Sequence, residues 1–233
     1  IAMSFALFNV LVLLSRVSNS FLGPFLAKRI ENPLAAGRGE FLLGDFRLIL
    51  LSATVATIIG TAMIPTVQRW FCSAIGRFQE ERSISRLILH AFAKGGIGYL
   101  RRTATAPKFT HLSELRKPRG VSTRVIVLNV LAQALLTVGV AASLYAGYLF
   151  PDYRVTASQL SAVVNGFATI LLFVLIDPQL SVMTDDVVAG EVSEPVFRRT
   201  IVLLSLSRVF GTLLAQLLFL PAAWLVVWVA GHI

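Results

Sequence analysis

Residues 121–150 read VSTRVIVLNVLAQALLTVGVAASLYAGYLF. Crossing ~30 Å of hydrocarbon at ~1.5 Å per residue takes about 20 mostly apolar residues, and this run exceeds that. It lacks the alternation of a barrel strand, so it reads as a membrane-spanning helix. Four further runs have the same character: Ile1 to Leu26, Phe41 to Ile64, Val155 to Met183 and Thr200 to Ala230. The expected fold is therefore all-α, a polytopic transmembrane helical bundle forming one integral membrane domain over residues 1–233. The runs at 121–150, 155–183 and 200–230 are longer than a perpendicular span needs, which predicts tilt, kinks or extension into the interface.

Composition supports lipid as the solvent. Of 233 residues, 56% are hydrophobic and only 14% charged, where a soluble domain carries about 25% charged residues. The mean hydropathy of +0.77 leaves too little polar surface to cover a water-soluble globule. Most soluble enzymes are thereby excluded. The single cysteine, Cys72, excludes an internal disulfide, a CxxC redox pair and a cysteine zinc site. The 21 Lys+Arg against 12 Asp+Glu give a net charge of +9. No soluble, aromatic-interleaved basic domain accompanies that charge, so nucleic acid is not an expected partner, whereas anionic membrane lipids are. The chain opens at Ile1 inside an apolar run without a basic n-region or cleavage site, which predicts a preceding segment rather than a signal-peptide remnant.

Between Pro65 and Gly120 the composition changes, with eleven Lys/Arg against three acids, Glu80, Glu81 and Glu114. The positive-inside rule makes this the cytoplasmic segment. Within it Ile84, Leu87, Ile88 and Ala91 recur at helical spacing beside Arg82, Arg86, His90 and Lys94. That pattern predicts an amphipathic helix at the membrane surface, with a re-entrant or poor sixth span over 84–100 as the alternative. Placing this segment inside puts 28–40, 151–154 and the His232 end outside, and 185–199 inside. Trp70 and Phe71, then Tyr145, Tyr148 and Tyr153, then Trp224 and Trp228, fall near the interfaces so defined.

Charges within spans are the most informative residues, because each costs at least about 2.5–3.5 kcal/mol on an insertion scale. Three stand out: Arg16, Asp177 and Arg208. Arg208 is ~13 Å into the last run and Asp177 ~10 Å from the cytoplasmic end of the fourth, so an ion pair fixing helix register is one expectation. The other is a hydrated cavity in which arginine holds phosphate while Asp177 gates or releases it. Arg16 has no acidic partner at its level in sequence, which favours an anionic ligand. Asn19, Asn165 and Gln216 are candidate head-group contacts, and Asn9, Ser15, Ser18, Asn129, Gln133 and Ser161 could line the same cavity, each otherwise serving as interhelical glue. Gly139, Ser143 and Gly147, four residues apart, form a small face for close helix packing. Pro178 and Pro221 interrupt apolar runs and are candidate gates where a helix bends or unwinds. Asp185 and Asp186 form a solvated acidic edge or, less simply, a site for a cation accompanying a pyrophosphate.

Catalytic patterns do not appear. His90, His111 and His232 make no HExxH, Gly95-Gly96-Ile97-Gly98 is not a P-loop, and no G-x-S-x-G elbow is present. Asp177, Asp185 and Asp186 are too split for a two-metal phosphotransferase, and no cofactor is expected.

Four longer stretches carry a family resemblance: FALFNVLVLLSRVSN (5–19) with Pro24 beyond it, YAGYLFPDYRVTASQLSAVVNGFATILLF (145–173), IDPQLSVMTDD (176–186) with Gly190-Glu191 following, and FGTLLAQLLFLPAA (210–223). With these the chain resembles the Amj family of lipid II flippases, the alternate to MurJ. The resemblance implies a non-enzymatic transporter of the bacterial cytoplasmic (inner) membrane, moving undecaprenyl-pyrophosphate-linked peptidoglycan precursor to the outer leaflet, with cell-wall synthesis proteins as further partners. It also implies a further helix ahead of Ile1. It carries no residue-level motif, so the site residues rest on physical reasoning alone. Two readings from other classes stand beside it: a membrane-embedded enzyme acting on a polyprenyl pyrophosphate, and a non-catalytic scaffold docking through 65–120.

Overall fold

A computed structural model describes residues 2–35, 41–81 and 121–233, and among these the side chains of residues 9, 12–15, 17, 18, 20–32, 41–73 and 121–233. The described elements are helical throughout: α1 (Ala2–Ala35), α2 (Leu42–Glu81), α3 (Thr123–Leu149), a 3-10 turn (Pro151–Tyr153), α4 (Arg154–Ile170), a π-helical segment (Leu171–Ile176), α5 (Asp177–Ala189) and α6 (Glu194–Ala230). Four stretches are long and apolar enough to cross a bilayer: Leu42–Ser73, Thr123–Leu149, Pro151–Ala189 and Glu194–Ala230. The first expected run forms α1, several of whose side chains lie outside the described residues. The predicted surface or re-entrant helix at 84–100 lies outside them altogether.

Helix ends differ from the sequence expectation in instructive ways. α1 continues past Leu26 to Ala35, so Lys28–Ala35 is helix rather than loop. α2 continues past Ile64, with Pro65 inside it, to Glu81. The apolar run therefore ends before the helix does, because charged and polar residues propagate a helix as readily as leucine does. α6 likewise begins at Glu194, with Pro195 in its first turn, where a missing N–H costs nothing. At α3 the side chain of Ser122 accepts from the Arg124 amide at 3.2 Å. α5 closes on Gly190 at φ +81°, where Glu191 N–H reaches Asp186 O at 2.9 Å and Gly190 N–H reaches Val187 O at 3.1 Å. That is a Schellman cap, which needs the left-handed glycine.

The π-helical segment has a local cause. Pro178 has no amide hydrogen, and its ring would crowd the carbonyl four residues back. The preceding residues shift register, and Asp177 N–H bonds Leu172 O instead. Pro178 thus occupies the first turn of α5, and the chain stays hydrogen-bonded through it. At Pro221 the helix is uninterrupted, so of the two alternatives, bending or unwinding, α6 does not unwind there.

The chain divides into two compact units, Ile1–Pro24 with Ile59–Lys108, and Phe25–Ile58 with Phe109–Ile233. In the first, Leu13, Leu14, Val17 and Phe21, and separately Ile59, Met63, Ile64 and Val67, are exposed, while Thr66 is buried. In the second, α3 is the hub, packing most extensively on α6 and then on α4. Lipid tails are as apolar as leucine, so helices here gain little from burying large hydrophobes and associate through close backbone approach instead. The contact faces are accordingly small: Ala132, Ala134, Ala141, Ala142, Ser143 and Ala146 on α3, and Gly211, Thr212, Ala215 and Ala223 on α6, are all buried. A Cβ on Gly211 would stand 2.7 Å from Val130 O and from the Gln133 Cβ, and one on Gly147 would lie 3.1 Å from the Arg154 Cα. Large apolar side chains face outward instead, among them Val155, Phe167, Ile170, Phe173, Phe210, Leu217 and Leu225. In water such a surface would aggregate; in a bilayer it is the lipid contact. The architecture is an all-α membrane bundle.

Candidate functional site

Polar residues of the spans fall into two groups, those that tie helices together and those that face outward. Asn129, 1% exposed, donates through Nδ2 to Leu204 O at 3.1 Å and to Ser207 Oγ at 2.6 Å, joining α3 to α6. The Ser207 hydroxyl in turn donates to Leu204 O at 2.8 Å. Gln133 bonds its own helix at Thr137 and packs against Gly211. Asn165 sets its Oδ1 where a Cβ on Gly139 would be 2.6 Å away, so the small face at Gly139 exists to admit a carboxamide from α4. Gln216 donates through Nε2 to the carbonyl of Arg47 at 3.0 Å, tying α6 to α2. Asn129 and Gln216 thus hydrogen-bond across helix interfaces, whereas Asn165 packs against Gly139 with its buried Oδ1 unpartnered among the described residues.

The charged candidates are placed differently. Asp177 and Arg208 are both exposed and form no ion pair with each other or with any other described residue. The expected register-fixing bridge is therefore absent. Arg208 lies on the same side of α6 as the buried Leu204 and Gly211, four residues after one and three before the other, and is nonetheless exposed. Arg16 and Asn19 have side chains outside the described residues. Among the described residues no group of three His, Cys, Asp or Glu could hold a metal ion; Asp185 is exposed and Asp186 half-buried near the end of α5. A buried cation, Arg199, 7% exposed, sits at the start of α6 beside the fully buried Thr200.

Sequence reasoning passed over the charges at the start of α2. Asp45 pairs with Arg29 of α1, Nε to Oδ2, at 3.2 Å. Arg47 is exposed, on the other flank of the buried Phe46. Phe46 lies against Phe219 (ring centroids 5.8 Å, stacked) and Tyr145 (5.9 Å, edge-on), in a core with Leu26, Ile30, Leu42 and Leu50. The Tyr145 and Tyr148 rings are 5.5 Å apart, centroid to centroid.

Phe150 at the end of α3 meets Trp224 of α6 with centroids 5.9 Å apart, and the Pro151–Tyr153 turn begins there. Gln216, which holds the Arg47 carbonyl, is eight residues before Trp224, or ~12 Å along the helix. Arg47, the seventh residue of the run Phe41–Ile64, is thereby set against α6.

The family described as Alternate to MurJ, Amj, matches residues 1–230 of this sequence. The chain belongs to this family. It is 36% identical over 235 residues to the Lipid II flippase Amj of Bacillus subtilis (strain 168), a match covering 98% of this chain and 84% of that protein. No solved structure matches it. The Amj match runs through α1 and α6 alike, so Arg29, Asp45, Arg47, Asp177 and Arg208 all lie within it.

Proposed function

We propose that this protein is a lipid II flippase of the bacterial inner membrane, carrying an undecaprenyl-pyrophosphate-linked precursor between leaflets without altering it chemically. The name of its Bacillus subtilis relative and its membership of the Amj family support the substrate class. The observation that carries the mechanism is Arg208, an exposed guanidinium on an apolar helix. An arginine there stays charged, and a passing phosphate is the partner that offsets its desolvation. Arg16 serves the same purpose on α1, and Asp177, exposed on the preceding span, competes for the cation and releases the phosphate. The polyprenyl tail stays in lipid against the outward apolar surface. Asn165 and Gln216 contact the sugar head group when the helices beside them part, and the π-helical segment ahead of Pro178 is where α4 and α5 shift register as the path opens. Pro221 is the matching flexible point on α6. The basic segment 65–120 faces the cytoplasm, where it meets anionic lipid and cell-wall synthesis proteins.

The test is translocation by variants that still insert. In liposomes containing labelled lipid II, Arg208→Gln should lower the rate at least tenfold while Arg208→Lys retains part of it, since lysine keeps the charge but loses the bidentate fork. Arg16→Ala should behave as Arg208→Gln does. A folded Arg208→Gln protein at the wild-type rate would remove Arg208 from the path. Release of phosphate or of a new lipid would replace the flippase reading with an enzyme.

A further inference from the structure

We infer that the seam between α3 and α4 holds a binding site for one water molecule, framed by Ser143 of α3 and by Ser161 and Asn165 of α4. The placement follows from two close approaches. A Cβ on Gly139 would stand 2.6 Å from Asn165 Oδ1, and one on Gly147 would stand 3.1 Å from the Arg154 Cα. The two helices therefore run antiparallel, with Gly139 level with Asn165 and Gly147 level with Arg154. Ser143 is four residues past Gly139 and Ser161 four residues before Asn165. One helical turn from the Gly139 contact, the two serines are thus level with each other on the facing sides.

The polar atoms of this turn lack the partners that burial demands. Ser143 is fully buried, and neither its Oγ nor the buried Oδ1 of Asn165 bonds any described residue. Elsewhere in the spans a hydroxyl satisfies itself on its own helix: Thr137 donates to Gln133 O, Thr169 to Asn165 O and Ser205 to Ile201 O, each at 2.7 Å. Ser143 does not, so its hydrogen is left for something in the seam. Positions one turn apart on a helix face are separated by about 5–6 Å between Cβ atoms. Asn165 Oδ1, seated at Gly139, is therefore too far from Ser143 for a direct bond and within the span of one bridging molecule, about twice a hydrogen-bond length. Water suits the set because it accepts from the Ser143 hydroxyl and donates to Oδ1, with half-buried Ser161 as a third partner. A metal ion has no use for the hydroxyl hydrogen and calls for about six oxygens. The α3–α6 seam is built otherwise, with Asn129 Nδ2 reaching Leu204 O and Ser207 Oγ directly. α4 is thus joined to α3 at this level through an exchangeable molecule. On the translocation reading, on which this consequence alone rests, a hydroxyl of the sugar head group takes the water's place when the helices part.

Water-edited solid-state NMR of the isotope-labelled protein in lipid bilayers reads the site directly. At short mixing times magnetisation from water should reach the Ser143 Cβ, while Ala134 and Val138, equally buried on the same helix, receive none. Most of that transfer should vanish in Asn165→Leu, which keeps bulk beside Gly139 and removes the acceptor. Thermal unfolding gives a second reading. Ser143→Ala removes one end of the bridge and strands the other, so its melting temperature should fall by about 2–4 °C. The double variant should fall by clearly less than the sum of the two single shifts, because both substitutions break the same bridge. Deleting a hydroxyl that has no partner acts in the opposite direction, since it removes an uncompensated buried group. Absence of water transfer to Ser143 overturns the inference, as does a Ser143→Ala protein that melts at or above the wild-type temperature, or a double variant whose shifts simply add. Both measurements are made without substrate. A protein that moves no lipid yet passes them keeps the water site, and one that moves lipid yet fails them loses it.

Discussion

A carboxamide buried between two membrane helices has no water to fall back on, and Asn129 shows what that requires. Its amide group serves both Leu204 O and Ser207 Oγ. Asn129→Ala should therefore destabilise the fold by about 1–2 kcal/mol, near the upper end for such contacts in membranes, measured as earlier unfolding in detergent. Glycines make a sharper test, because their surroundings differ. Gly211→Ala drives a methyl to 2.7 Å from Val130 O and should separate α3 from α6, whereas Gly166→Ala meets nothing within 4 Å. The first should lower the melting temperature by several degrees and the second should leave it unchanged or raise it. That Gly139 and its neighbours form a packing face was legible from their spacing alone. Which of the polar residues lay inward was not, since Arg208, exposed, follows buried Ser207 and falls on the same side of α6 as buried Leu204 and Gly211, so helical spacing does not separate them. Arg47 was hidden differently: its place near the end of an apolar run does not reveal that its carbonyl is held by Gln216 of α6.

Helical elements were readable wherever an apolar run sets them, and less so at their ends. The span at 121–150 has one polar cap and a turn-forming Pro-Asp-Tyr, so its limits agree closely with α3. α2 outruns its apolar stretch by 17 residues, from Ile64 to Glu81, because nothing in Arg69, Gln68 or Arg77 stops a helix. The fourth span carries the one irregularity that bears on motion, the π-helical turn ahead of Pro178. A proline in a long apolar run announces a defect, but not whether the chain unwinds or shifts register. If the defect is a hinge, Pro178→Ala should restore the regular ladder, raise stability by about 1–3 kcal/mol, and slow translocation with insertion intact. Faster or unchanged transport in a more stable protein would separate the π-helical turn from the transport cycle.

For the molecule as a whole, the composition already required a lipid solvent, and the outward apolar surface of the second unit gives that requirement a shape. In that unit Arg29 is bound to Asp45, while Arg47, Arg208 and Asp177 are exposed, the last two without pairing with each other. On the proposed reading, a lipid pyrophosphate crossing the bilayer is the anion that Arg208 meets. The most direct test is made with purified protein in liposomes carrying labelled lipid II, using a membrane-impermeant reagent that modifies only the outward-facing label. The account predicts that the accessible fraction rises beyond the share first exposed, toward the whole pool, with the lipid recovered unchanged. A plateau equal to that of protein-free liposomes, or recovery of a cleaved lipid, would contradict it.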